Sequence, residues 1–229
     1  MKSLGIIGGV GPETTADFYM QVIQGCQDLY EVHRPWIVFS SIPYSYELEN
    51  DEIINATISE HAKVYLTTEA KNLEKVGVDF ICLPCNTLHY YIKEIRESVK
   101  IPVLSIVEET IAYMHEKGYK KVGLLSTSAT VKYKIYETVF EREHINFITP
   151  NSSDMSKIDQ IISRITNGEH SKYDTELLES IIATMEKDDI DAVVLACTDL
   201  QVLKPKSKNI PVFDTMKVLA DASVKKIGE

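Results

Sequence analysis

The feature that most constrains the fold of this chain is an internal repeat of short motifs in the same order. Gly5-Ile6-Ile7-Gly8 opens the first half, and Gly123-Leu124-Leu125-Ser126 opens the second. An apolar run then leads to Cys85 in the first half and to Cys197 in the second, 80 and 74 residues after the opening glycines. An Ile-Pro-Val sequence follows each cysteine. Three landmarks in one order predict two related lobes.

Short apolar runs alternate with longer amphipathic stretches such as 62–76 and 175–185, a pattern typical of α/β proteins. The runs are nearly continuous, which indicates strands buried on both faces, as in parallel sheets. The predicted strands are 4–7, 36–39, 80–83, 103–104, 122–125, 145–148, 192–195 and 212–213. We therefore predict an α/β fold in which two lobes with parallel sheets are related by a pseudo-twofold axis. The first lobe is expected to span 1–105, the second 106–210, and the segment 211–229 is expected to return to the first.

Composition excludes several classes of function. The 229 residues carry a formal net charge of −10, which argues against unspecific nucleic-acid binding through clustered lysines and arginines. The apolar run near the N-terminus ends at Gly8-Gly9, too short for a signal core or a membrane span. We therefore expect a cytoplasmic protein without a membrane partner, whose four cysteines are free thiols.

Cys85 and Cys197 each come just after a predicted strand and just before a predicted helix. In open α/β sheets ligands bind at the carboxyl ends of the strands, so two related lobes would place one thiol on each wall of an inter-lobe cleft. Racemisation next to a carboxylate needs a base on one face of the carbon and an acid on the other. A cysteine, with a pKa of roughly 8.5, can serve as either after modest tuning. The polar groups after the two cysteines are suited to binding the carboxylate of a substrate.

Three motifs carry a resemblance to a known family over essentially the whole chain. They are Gly8-Gly9-Val10-Gly11-Pro12-Glu13-Thr14-Thr15, Pro84-Cys85-Asn86-Thr87-Leu88-His89 and Ala196-Cys197-Thr198-Asp199-Leu200. Together they resemble the signatures of the aspartate/glutamate racemase superfamily, and the opening motif and chain length are similar to its aspartate racemase branch.

The resemblance implies two Rossmann-like lobes, racemisation of a small-molecule amino acid by the Cys85–Cys197 pair without pyridoxal phosphate or another cofactor, no metal, and a homodimer. It implies aspartate as the substrate, ahead of glutamate or another amino acid. The implied substrate-binding residues are Gly9, Asn86, Thr87, Thr127 and Thr198.

One departure from the family pattern concerns the side-chain carboxylate. Aspartate racemases of this group usually carry an arginine shortly after the second strand, but this chain reads Ile42-Pro43-Tyr44-Ser45-Tyr46-Glu47 there. We expect Lys172, or the hydroxyl of Tyr46, to bind this carboxylate instead.

Other interpretations of the same residues stay open. Cys82 and Cys85 have the spacing of a redox dithiol, although Cys82 falls within an apolar strand, where an inert buried thiol is expected. The glycine-rich turn at 8–11 lacks the third glycine of a dinucleotide site, and we expect its backbone amides to approach a small anion. His89 is expected to cap a helix or lie on the surface. A single-cysteine relative, such as a maleate isomerase or a malonate decarboxylase, is disfavoured by the second thiol; a non-catalytic amino-acid binder with the same cleft is the other alternative.

Overall fold

The computed structural model describes residues 1–30, 34–49, 51, 55–57 and 59–229, apart from the side chain of Tyr46. The first half contains strands β1 (Leu4–Gly8), β2 (Ile37–Ser41), β3 (Phe80–Cys82) and β4 (Val103–Leu104). Its helices are α1 (Pro12–Tyr30), α2 (Tyr46–Glu49), α3 (Glu60–Val76), α4 (Ile92–Ser98) and α5 (Ile106–Lys117). A 3₁₀ helix, Thr87–Tyr91, lies between β3 and α4.

The second half repeats this order. Its strands are β5 (Lys121–Leu125), β6 (Asn146–Ile148), β7 (Ala192–Leu195) and β8 (Val212–Asp214). Its helices are α6 (Ser128–Lys132), α7 (Glu137–Arg142), α8 (Ser152–Thr166), α9 (Lys172–Met185) and α10 (Thr215–Gly228). A 3₁₀ helix, Thr198–Leu203, follows β7, and another, Glu186–Asp188, follows α9.

The two sheets have the same topology. The first has the order β2-β1-β3-β4 and the second β6-β5-β7-β8, and all strand pairs are parallel. Replacing each strand of the first sheet by the strand four places later gives the second. The predicted α/β fold with two parallel sheets is thus confirmed.

The strand residues alternate between two buried layers, as a period of two requires. In β1, Leu4 and Ile6 belong to a central core that also contains Val122 and Leu124 of β5, whereas Ile7 faces an outer core under α3 and α4. The second sheet has its own outer core under α8 and α9. A layer containing α1, α5 and α10 therefore packs between the sheets and joins them into one central core.

The final segment of the chain differs from the expectation that 211–229 returns to the first lobe. Its strand β8 pairs with β7, so it belongs to the second sheet. Its helix α10 packs against α1 and α5 in the central layer. The return therefore begins at α10 and not at residue 211, because parallel pairing with β7 satisfies the backbone of β8.

Candidate active site

The two thiols lie at equivalent points of the two lobes. Cys85 follows β3 and precedes the 3₁₀ helix Thr87–Tyr91, and Cys197 follows β7 and precedes the 3₁₀ helix Thr198–Leu203. Both are free, and they are 7% and 6% exposed. The short 3₁₀ helices replace the α-helix starts expected from the sequence. The backbone amides of Leu88 and Leu200 nevertheless act on the two sulfurs and favour the thiolate forms.

The surroundings of the thiols disfavour ionisation. Burial raises the pKa of Cys85 to about 12, and the carboxylates of Asp199 and Glu49 contribute in the same direction. Burial, followed by the charge of Asp199, raises the pKa of Cys197 well above its usual value. The charge of Cys85 also raises the pKa of Cys197, so the two groups lie within electrostatic reach of each other. A nearby positive charge would favour formation of a thiolate here.

Three threonine hydroxyls from both lobes meet beside this region. The Oγ1 atom of Thr87 lies 3.2 Å from that of Thr127 and 3.1 Å from that of Thr130, and the latter two are 3.0 Å apart. All three residues are buried, and Thr127 also caps α6 by accepting the amide of Thr130. Thr87 and Thr127 were expected to bind substrate, and the structure brings them together. A cluster of hydroxyl donors of this kind can bind a carboxylate.

Asn86, which was expected to bind substrate, is hydrogen-bonded to two side chains of the protein. Its Oδ1 atom accepts a hydrogen bond of 2.5 Å from the Tyr136 hydroxyl, and its Nδ2 atom donates to the Thr215 hydroxyl at 3.0 Å. The side chain is 2% exposed. Because these two partners engage both ends of the amide, Asn86 ties the segment after Cys85 to the starts of α7 and α10.

Asp199 is a site residue that the sequence analysis did not single out. Its Oδ1 atom accepts a hydrogen bond of 2.6 Å from the hydroxyl of Thr14, in the first turn of α1. Its Oδ2 atom accepts a longer hydrogen bond, 3.8 Å, from the sulfur of Cys197. Burial raises the pKa of the Asp199 carboxyl. Thr198, which was expected to bind substrate, lies between Cys197 and Asp199 and is 6% exposed.

The glycine-rich turn binds an anion that belongs to the chain itself. The amide of Gly11 donates to the carboxylate of Glu49 at 2.9 Å. Burial, together with the charges of Asp199 and Glu13, raises the pKa of Glu49 to about 7, although the Gly11 hydrogen bond opposes this shift. Gly9 has a φ of +97° and lies against the backbone of Ile42, so it fixes the path of the chain after β2. The expected anion is therefore a glutamate side chain.

One expected side-chain ligand, Lys172, is not brought to this group. Lys172 lies at the start of α9 with a side chain that is 89% exposed, and it pairs with Glu176 at 3.1 Å. The position of Lys172 in the sequence does not determine where its side chain points, and here the lysine extends into solvent. The side chain of Tyr46 lies outside the described part of the structure.

His89 is buried, contrary to the surface role expected as one alternative, and it caps a helix, because it accepts the amide of the first residue of α5. Its Nδ1 atom lies 2.7 Å from the carbonyl oxygen of Cys85, and its Nε2 atom accepts the amide of Ile106 at 3.0 Å. These contacts assign the proton to Nδ1. Burial lowers the pKa of His89 to about 4, so the ring is neutral at physiological pH. It holds the backbone of Cys85 in place.

A cavity of about 200 Å³ adjoins these groups. It is lined by Gly11, Pro12, Glu13, Thr14, Glu49, Ile165, Thr166, Gly168, His170, Asp199 and Val202. Thr14, Glu49 and Asp199 thus belong both to this cavity and to the surroundings of the thiols. Among the described residues, we find no cluster of His, Cys, Asp and Glu that could hold a metal ion.

Cys82 lies apart from the other two thiols. Cys82 is 0% exposed within the central core, and burial raises the pKa of its thiol, which fits the inert thiol expected there. Within the described ranges, no helix is both long and apolar enough to cross a bilayer.

Fold and site together define an α/β protein with two sheets of equal topology and a buried thiol after the third strand of each. A family model of Asp/Glu/hydantoin racemases matches residues 7–223. The chain belongs to this family, and its activity class is that of an amino-acid racemase.

Individual relatives agree with this assignment. The chain is 32% identical to the broad specificity amino-acid racemase RacX of Bacillus subtilis over 230 residues, which is 96% of each protein. It is similar to the aspartate racemase of Picrophilus torridus, with a TM-score of 0.81 and 29% identity over 100% of this chain and 95% of that one. The fold is also shared with an aspartate racemase homologue from Pyrococcus horikoshii, at a TM-score of 0.81 and 24% identity over the full length of both chains.

Proposed function

We propose that this protein is a cofactor-independent amino-acid racemase in which Cys85 and Cys197 exchange the proton at Cα. One thiolate removes the proton from one face of the bound amino acid, and the opposite thiol returns a proton to the other face. The observation that carries this proposal is the placement of two nearly buried free thiols at equivalent strand ends, within electrostatic reach of each other.

The remaining groups suit the steps that this chemistry needs. The hydroxyls of Thr87, Thr127 and Thr130 form a donor cluster for the α-carboxylate, whose negative charge grows as the enolate-like transition state forms. The α-ammonium group of the substrate supplies positive charge near two thiols whose pKa values are raised by burial. It therefore favours the thiolate that begins the reaction. His89 and Asn86 keep the Cys85 segment in place.

Single-thiol variants test the two-base mechanism. We expect Cys85→Ala and Cys197→Ala each to lower racemisation by at least about 10²-fold, the usual contribution of a positioned acid or base. Transfer of deuterium from D2O to Cα, followed by NMR or mass spectrometry, should persist in one variant with one enantiomer only. Cys82→Ala, which removes the buried thiol of the same Cys-x-x-Cys segment, is the matched control and should retain racemase activity.

The outcomes separate the alternatives. Full racemase activity in either single variant would refute the two-base assignment. Absence of Cα exchange in the wild-type protein with every amino acid tested would indicate a non-catalytic binder. Loss of activity in Cys82→Ala at full folding would support the redox dithiol.

Aspartate as the substrate remains a prediction, and so does the homodimer. A side-chain carboxylate would enter a region where Asp199, Glu49 and Glu13 supply negative charge. Two like charges about 5 Å apart repel by roughly 3 kcal/mol at an effective dielectric constant near 20. Comparison of kcat/KM for both enantiomers of aspartate, glutamate, asparagine and alanine tests the substrate, and light scattering tests the homodimer.

A further inference from the structure

The cavity beside the thiols has a one-sided charge. Of the described residues that line it, three are carboxylic acids, namely Glu13, Glu49 and Asp199, none is a lysine or an arginine, and His170 is the one basic side chain. Two of the acids are held by specific donors. The Gly11 amide holds Glu49, and the Thr14 hydroxyl holds Asp199. These donors are neutral groups, so they position the carboxylates without supplying a positive charge.

The charges that act on the site groups are also negative. The charges of Asp199 and Glu49 raise the pKa of Cys85, and the charge of Asp199 raises that of Cys197. The charge of Glu13 raises the pKa values of both Glu49 and Asp199. Among the described residues, no cation contributes to the pKa shift of Cys85, Cys197, Glu49 or Asp199. Buried charges in proteins are usually paired, so this site is short of a positive charge.

Two cations of neighbouring segments are engaged elsewhere. Lys132 donates to the carbonyl oxygen of Ala56 at 2.9 Å, and Arg164, next to the lining residue Ile165, pairs with the buried carboxylate of Asp174. The sequence from 35 to 62, which includes the whole segment after β2, contains no lysine or arginine but five acids. A positive charge on the ligand would compensate these carboxylates.

We propose that the cleft selects amino acids with a cationic side chain, whose ammonium or guanidinium group pairs with Glu49 and Asp199 in the cavity. This inference rests on the proposed function, because the thiols and the threonine cluster define where the amino acid binds and the acids define which side chain is favoured. An aliphatic chain would cross the apolar part of the lining, Ile165 and Val202, and carry its charge to the carboxylates.

Isosteric substrate pairs test the selection directly. Lysine and norleucine differ in the terminal ammonium group, and ornithine and norvaline differ in the same way. We expect kcat/KM to be at least about tenfold higher for each cationic member, equivalent to about 1.4 kcal/mol. Asparagine should be preferred to aspartate, since the second carboxylate is repelled.

A variant pair identifies the carboxylate responsible. Glu49→Gln keeps an acceptor for the Gly11 amide but removes the charge, so the lysine-to-norleucine ratio of kcat/KM should fall by about tenfold. Glu47 lies on the same short helix, is exposed and does not line the cavity, so Glu47→Gln is the matched control and should leave the ratio unchanged.

The failures of the two proposals are distinguishable. If lysine and norleucine are racemised equally well, or aspartate is the best substrate, the cationic selection is wrong while thiol-dependent racemisation stands. If the ratio in Glu49→Gln equals that of the wild type, Glu49 is not the recognising group, and the selection as proposed is overturned. If no amino acid exchanges its Cα proton, the proposed function itself fails.

Discussion

Replacement of Gly9 by alanine should destabilise the protein far more than the same replacement at Gly77. The two glycines have nearly the same left-handed backbone, with φ of +97° and +96°. A Cβ atom at Gly9 would lie 2.7 Å from both the backbone nitrogen and the carbonyl oxygen of Ile42, whereas at Gly77 it would meet nothing within 4 Å. The comparison therefore isolates a steric clash from backbone strain.

The expected magnitudes follow from this geometry. A left-handed backbone costs a residue with a Cβ atom about 1–2 kcal/mol, and this term is common to both variants. Overpacking against atoms that cannot move aside adds about 1–3 kcal/mol, and it applies to Gly9 alone because the obstructing atoms are backbone. We therefore expect losses in the free energy of unfolding of about 1–2 kcal/mol for Gly77→Ala and about 2–5 kcal/mol for Gly9→Ala.

Urea unfolding followed by far-ultraviolet circular dichroism measures both losses under the same conditions. Gly9→Ala should also lower racemase activity, because relief of the clash displaces Ile42 and, with it, the short helix that carries Glu49. Gly77, which ends α3 with its amide bonded to the carbonyl oxygens of Glu74 and Leu73, is remote from the thiols and should affect stability only. Equal stability losses in the two variants would refute the steric argument.

Three further predictions concern charge. The lysine-to-norleucine ratio of kcat/KM should rise as the pH increases through about 7, because Glu49 ionises there, and it should be flat over this range in Glu49→Gln; a flat wild-type ratio would contradict the assignment. Asp199→Asn removes a negative charge that raises the pKa of Cys197, so the alkaline rise of the pH–rate profile should move to lower pH. A shift to higher pH would contradict this electrostatic role. Lys172→Ala should leave kcat/KM within about twofold of the wild type for every substrate, since its side chain is in solvent, and a large loss with aspartate alone would restore the predicted carboxylate contact.

The elements of the fold could be predicted because the strands are marked by the residues themselves. Near-continuous apolar runs identify strands covered on both faces, and such strands form the parallel sheets found here. The repeat of motifs then places Cys85 and Cys197 at equivalent strand ends. These inferences need only local sequence and the order of elements.

The finer chemistry of the site could not be predicted, because it depends on how distant segments dock. Thr14 and Asp199 are 185 positions apart, and Asn86 and Thr215 are 129 apart. Glu49 lies among other acids in a segment whose composition indicates a solvated surface, and only the fold turns its carboxylate to the Gly11 amide. The expectation for Asn86 came from its place next to Cys85, and its contacts with Tyr136 and Thr215 could not be predicted from that.

The layer formed by α1, α5 and α10 has a consequence for how the two halves can exist. Each half contributes to this layer, and both sheets cover it, so cutting the chain after residue 117, between α5 and β5, would leave apolar helix faces of both fragments in water. The smallest unit that buries the layer is a pair of halves. The chain therefore corresponds to two half-length units that are covalently linked. We expect it to unfold in one transition, and we expect neither half to fold without the other.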